Sequence, residues 1–176
     1  AFAGHPKLGA ADYKLSCHGL HQRGAYTFCM CPGGTVVAAA SEKGGVIVNG
    51  MSTLARDGEN ANSALLVGID PVDFPSEHPL AGMYYQREIE QNAFALGGGD
   101  YRAPAQLVGD FLADRESRAL GNVQPTCPTG VTLTNLRYCL PDKVRTTMQA
   151  AITEMDKRLH GFALPDAVLT APETRS

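Results

Sequence analysis

An α+β fold is what three features of this sequence predict. The N-terminal half carries short apolar, β-branched runs separated by turn-length segments rich in Gly and Pro. The C-terminal half carries apolar residues at helical spacing. Gly (19) and Pro (11) are in excess, roughly a sixth of the chain against a usual share of about an eighth, which disfavours a helix bundle. The expected architecture is a mixed or antiparallel sheet of about 4–6 strands, mainly from the first half, covered by about 3–4 helices from the second. At 176 residues with 44% hydrophobic content, residues 1–176 read as a single domain with a core that needs no disulfides.

Taken in order, the first dozen residues show no clear period. Asp12 to Leu15 is a short extended candidate, and Ser16 to Gly24 reads as a polar, Gly-containing connection. Three strand-like runs follow: Tyr26 to Cys31, Thr35 to Ala40 and Gly45 to Val48. Pro32-Gly33-Gly34 reads as the first turn, Ser41 to Gly44 as the second, and Asn49-Gly50 as the pair closing the third, which makes a β-meander. Met51 to Ser63 is polar, and Ala64 to Ile69 is a fourth apolar strand. Tyr85, Ile89, Ala93 and Leu96 share one helix face, stopped by Gly97-Gly98-Gly99. Pro104 suits the first turn of a second helix carrying Leu107, Val108, Phe111 and Leu112. Leu133, Leu136 and Leu140 suggest a short helix before Pro141. The strongest helix runs from about Asp142 to Leu159 on the stripe Val144, Met148, Ile152, Met155 and Leu159, with Gly161 as its cap. Ala167 to Thr170 is a last short strand.

Charge and composition exclude several functions. The net charge is −3 and no basic run is present, so nucleic acid and acidic membrane surfaces are poor partners. No apolar run approaches the roughly 20 residues of a membrane span, and the N-terminus lacks a charged-then-apolar signal. The five cysteines, Cys17, Cys29, Cys31, Cys127 and Cys139, are an odd number, which fits reduced thiols in the cytoplasm better than a disulfide framework.

Four groups of residues have the composition of a site. Cys17, His18, His21, Cys29 and Cys31 are a sufficient zinc inventory, but the spacing is wrong for a knuckle and no metal site is expected. The plain reading is core thiols and surface histidines. Cys29 and Cys31 alternate on one strand, where a disulfide would be strained, and no Cys-x-x-Cys is present. They are the candidate catalytic residues, as thiols poised toward a flavin or substrate, against the commoner reading of structural thiols. Gly97-Gly98-Gly99 is no dinucleotide fingerprint, because a helix precedes it and Arg102 stands where the last Gly belongs. Pro32-Gly33-Gly34 lets backbone approach a planar ligand closely, though a plain hairpin turn explains it nearly as well. Finally, Asn49 to Ser63 crowds Arg56, Asp57, Glu59, Asn60, Asn62 and Ser63 between two strands, where binding residues often sit. An internally bonded surface loop is its plain reading.

Together these strings resemble one family. Phe28 to Gly34 (FCMCPGG), Val36 to Glu42 (VVAAASE), Val48 to Ser52 (VNGMS) and Arg56 to Leu66 (RDGENANSALL) carry the resemblance, with Phe94 to Gln106, Val108 to Phe111 and Glu173 to Ser176. They are similar to a bacterial family of FAD-dependent dehydrogenases (NAD/FAD-utilising, oxidoreductase-like), over nearly the whole chain. The resemblance implies the C-terminal-half module of a larger flavoprotein, whose dinucleotide-binding fold precedes the module and is completed after it. The chain begins at Ala1 and closes at Arg175-Ser176, as an excised substrate-side or cap domain would.

The expectations that follow concern cofactor, partners and site. FAD belongs to the parent protein, with none expected on the isolated fragment, which is not expected to be catalytic alone. The partners are the FAD-binding domain of the same polypeptide and an unknown small-molecule substrate. Cys29, Met30, Cys31, Pro32, Gly33, Gly34, Asn49, Gly50, Met51, Ser52, Arg56, Asn60 and Asn62 are expected near flavin or substrate. The rival reading is a non-enzymatic ligand-binding or interaction module.

Overall fold

A computed structural model describes residues 6–7 and 14–175. The α+β class holds, with strands gathered in the first half and helices in the second. Asp12, at the start of the short extended candidate, lies outside the described residues.

Three small sheets are present among the described residues in place of one. The first is antiparallel, in the order β1 (Ser16–Leu20), β2 (Arg23–Cys31), β5 (Asn62–Val67). The second is the hairpin of β3 (Gly34–Ala38) and β4 (Val48–Ser52). In the third, β6 (Ala103–Leu107) runs parallel to β7 (Val131–Leu133) and antiparallel to β8 (Val168–Thr170). The helices are α1 (Ala81–Gly97), the single turn α2 (Val108–Leu112) and α3 (Asp142–Asp156). Short 3-10 turns stand at Pro71–Asp73 and Leu136–Tyr138.

The expected meander is corrected. β2 pairs with β1 and β5, while β3 pairs with β4. The chain leaves the first sheet at an irregularity between Phe28 and Cys31, where Cys29 takes φ +48, and turns again at Gly33, φ +61. Asn49-Gly50 is not a turn but the middle of β4, opposite Val37 and Val36. The hairpin reverses instead around Gly44, φ +76. Ser16 to Gly24 contains β1, a polar edge strand that buries chiefly Cys17. Pro104 lies in β6, where it lends its carbonyl to the Ala171 N–H at 3.1 Å.

α1 ends as the glycines predict: Gly98 adopts φ +110, and Gly98 and Gly99 donate to Ala95 and Phe94 carbonyls. α3 stops earlier than its stripe suggests. The Asp156 carboxylate accepts the N–H groups of Gly161 and Ala163, each at 2.9 Å, and folds the chain back. α3 joins two cores. Ile152 packs with Val46, Val48, Ala93, Phe111 and Leu136, while Ala151 and Met155 pack with Cys17 and Ala25 of the first sheet. Each large aliphatic or aromatic side chain so buried contributes about 1.5–3 kcal/mol. No helix among the described residues is long and apolar enough to cross a membrane.

Candidate functional site

The predicted residues converge where β2 hands over to β3. Gly33 and Gly34 are buried there. A Cβ on Gly33 would collide with the backbone of Arg56 and Asp57, and one on Gly58 would meet the Gly33 carbonyl. Two loops distant in sequence therefore touch backbone to backbone, an approach that glycine alone allows. The Gly34 N–H donates to the Asn60 carbonyl at 2.7 Å, so that amide is already committed within the chain.

Asn62 locks the junction from the other side. It stands opposite Cys31 in the β2–β5 ladder. Its Nδ2 donates to the Thr35 carbonyl at 2.8 Å and to the Met51 carbonyl at 3.0 Å, tying β5 to both strands of the hairpin. A Cβ on Gly34 would collide with the Asn62 amide, and one on Gly50 would stand 3.1 Å from its Oδ1. That Oδ1 is buried and accepts no hydrogen bond among the described residues. Asn60 donates through Nδ2 to the Gln124 carbonyl at 2.8 Å, and Thr126 Oγ1 accepts the Val36 N–H at 3.0 Å. Gln124 and Thr126 were not legible as part of this assembly, because a partner some 60–90 positions away leaves no local signal.

Arg56 differs in kind from its neighbours. It is exposed and holds φ +53, a conformation costing a non-glycine residue about 1–2 kcal/mol. Its guanidinium has no carboxylate or carbonyl partner among the described residues, whereas every other arginine of the chain has one. Cys29 is also exposed and left-handed. Crowding around its sulfur, with Cys31 and the Glu173 carboxylate nearby, holds its thiol above the usual range. It stays protonated at neutral pH, a poor nucleophile but an available proton donor.

The remaining candidates divide by position. Ser52 pairs with Gly34 at the open end of the hairpin, and Met51 and Leu54 are exposed beside it. Leu54 is fully exposed, an apolar residue stranded in a polar loop, which is a signal the sequence carried. Met30, Gly34, Asn49, Gly50, Asn60 and Asn62 line one end of a cleft of ≈ 1060 Å³. Cys29, Cys31, Pro32, Gly33, Met51, Ser52 and Arg56 do not line that cleft. Cys17 is buried in the second core and apart from exposed His18 and His21. Among the described residues no three His, Cys, Asp or Glu side chains gather as metal ligands.

Nor do the described residues form a pyrophosphate cradle. Gly97 to Gly99 cap the end of α1, and β6 runs directly into α2 with no glycine turn between them. The junction end of the hairpin instead presents an exposed thiol, Cys29, and an exposed guanidinium, Arg56.

Comparison with known proteins decides the family. Residues 1–176 match the family model described as FAD-dependent protein, C-terminal domain-like. The chain belongs to that family. It is also 53% identical over 173 residues to a protein of Clostridium beijerinckii (strain ATCC 51743 / NCIMB 8052) that bears the name "Uncharacterized protein". That match takes in 98% of this chain but 32% of the relative, so the chain spans about a third of the relative's length. The family description makes this a module associated with an FAD-dependent protein.

Proposed function

We propose that this module is the substrate side of an FAD-dependent oxidoreductase, and that the junction of β2, β3 and the Arg56 loop faces the flavin ring. The bound cofactor supplies the hydride chemistry. The chain's own residues bind, orient and protonate. Arg56, the one arginine without a partner among the described residues, holds an anionic or strongly polar group of a small-molecule substrate. Asn60 and Asn62, whose amides are committed to carbonyls, position that loop on the glycine turn. Cys29 holds a proton at Sγ for delivery to the substrate. Exclusion of water falls to the exposed apolar rim of Phe28, Met51 and Leu54.

The unpaired Arg56 guanidinium is the observation that carries this reading. Its test is Arg56→Ala in the full-length polypeptide. The variant should keep its oxidised-flavin absorbance and its reduction by NADH or NADPH, and lose at least about tenfold in reoxidation by a panel of 2-oxo acids and unsaturated acids. Loss of flavin from the variant would overturn the role given to Arg56. A wild-type protein that stays colourless after FAD is added would favour a binding module without redox chemistry.

A further inference from the structure

β5 is the outer strand of its sheet, and β2 is its ladder partner. The Gly68 N–H donates to the Gly24 carbonyl at 3.2 Å, one step beyond the Ala25–Val67 pair. Hydrogen-bonded and non-bonded pairs alternate along an antiparallel ladder. Ala64 and Leu66 therefore turn their backbone groups toward β2, and Leu65 and Val67 turn theirs away from it. Thr27, opposite Leu65, agrees: its N–H points to the far side and donates to the Leu15 carbonyl at 2.8 Å. Among the described residues nothing pairs with the outward backbone groups of Leu65 and Val67.

That open edge borders the cleft. Every residue from Asn60 to Ile69 lines it. So does every residue from Ala167 to Thr174 on the opposite side, where β8 is the outer strand of the third sheet. Apolar side chains of α1 and α3, among them Ile89, Val144 and Met148, close the space between them. A strand of six residues, at about 3.3 Å rise, 4.8 Å spacing and 10 Å depth, occupies roughly 950 Å³. The cleft holds ≈ 1060 Å³.

We propose that an extended, aliphatic segment of the longer polypeptide, outside residues 1–176, enters this cleft and adds to β5 as a strand. The relative extends to about three times the length matched here, so roughly two-thirds of such a polypeptide is available to supply it. A small apolar molecule would fill the volume but leave the Leu65 and Val67 amides without acceptors. A second copy would have to bring its own sheet edge into a trough walled by α1, α3 and β8. A single extended segment satisfies the backbone and the apolar walls together. The proposal rests on the chain being part of a longer polypeptide, and not on the flavin.

The test is residue-resolved hydrogen exchange on the full-length monomer, with photo-leucine incorporated in a parallel sample. Leu65 and Val67 amides should exchange at least about 100-fold more slowly than free amides. Cross-links from Leu65 or Leu66 should reach a peptide outside residues 1–176 of the same molecule. Exchange of Leu65 and Val67 at loop rates beside protected Ala64 and Leu66 would overturn the proposal. So would cross-links that join two copies, or none leaving these 176 residues. Flavin absorbance is read on the same sample. Protected amides in a colourless protein overturn the flavin reading alone, and exposed amides in a coloured one overturn the strand alone.

Discussion

The β3–β4 hairpin has two ends, and they are held by opposite means. At its loop end, Ser41 and Glu42 meet a cluster of charges. Arg175 donates to both Glu90 oxygens, at 3.2 and 2.9 Å, and to Ser41 Oγ at 2.6 Å, while Arg87 pairs with Glu42. Gln86 and Thr174 complete the shell of Glu90, which is 1% exposed. At its open end, Gly33, Gly34 and Gly50 let backbone meet backbone and Asn62, and the nearby arginine is left unpaired. A cation whose three guanidinium nitrogens each donate to a group inside the chain is part of the scaffold. A cation on a strained, exposed loop with no partner is directed outward. Both arginines lie within strings that carried the family resemblance, and they differ in pairing and in backbone conformation.

The largest effect should come from the open end. Gly33→Ala combines the left-handed penalty with forced separation of two backbones, and should cost about 3 kcal/mol. In the intact protein this reads as a thermal midpoint lower by roughly 6–12 °C for the transition of this module. A midpoint within a degree of wild type would show that the loops do not meet as described.

Next comes the clamp. Arg175→Ala strips the buried Glu90 carboxylate of its charged partner, leaving Gln86 and Thr174. Because Arg175 is itself partly exposed, the loss should be about 1–2 kcal/mol, below that of a fully buried pair. The pH dependence gives the sign. Burial raises the Glu90 pKa, but hydrogen bonds from Arg175, Thr174 and Gln86 outweigh it and hold the carboxyl below the ordinary glutamate range. Its contribution is therefore full above the unfolded value, near 4.3, and is lost as pH falls through the lower folded value. The difference between wild type and variant should be greatest at neutral pH and should close below about pH 4. A difference that grows in acid would mean that Glu90 is not held as an anion by this arginine.

A smaller effect separates two explanations for the glycines. Gly34→Ala collides with the Asn62 amide, and Asn62→Ala frees that space at the loss of two hydrogen bonds. Each single change should cost about 1–2 kcal/mol, and the double variant should recover about 1 kcal/mol of their sum. Strict additivity would place the constraint at Gly34 elsewhere than against Asn62.

These same residues show what the sequence made legible. β2, β5, both long helices and the stop at Gly98 followed from apolar period and from glycines that need a left-handed backbone. Glycines that serve for space misled the reading. Gly50 sits inside β4, where a Cβ would crowd Asn62 Oδ1 at 3.1 Å, yet Asn49-Gly50 looks like a turn in sequence. β1 was hidden because a polar edge strand has no apolar alternation. Pro104 was misplaced because a proline that lends only its carbonyl suits a strand as well as a helix start. At the site, Arg56, Asn60 and Asn62 stood out as a polar cluster between apolar runs. That Arg56 is free and the asparagines are committed depends on partners near Gly33, Thr35, Met51 and Gln124, which spacing cannot reveal.

The smallest stability effect belongs to Arg56→Ala, and it makes the sharpest comparison with Arg175. The guanidinium has no partner among the described residues to lose, so the intact protein should change by less than about 0.5 kcal/mol, as exposed substitutions usually do. The left-handed backbone at this position is strained for alanine as for arginine, so that cost cancels between them. One chemical change at two positions then separates two functions of arginine. At position 175 it should lower the melting point and leave flavin reoxidation near wild type. At position 56 it should leave the melting point and lower reoxidation. A matched loss of stability at both positions would mean that Arg56 has an internal partner after all, and its assignment to substrate would fall with that result.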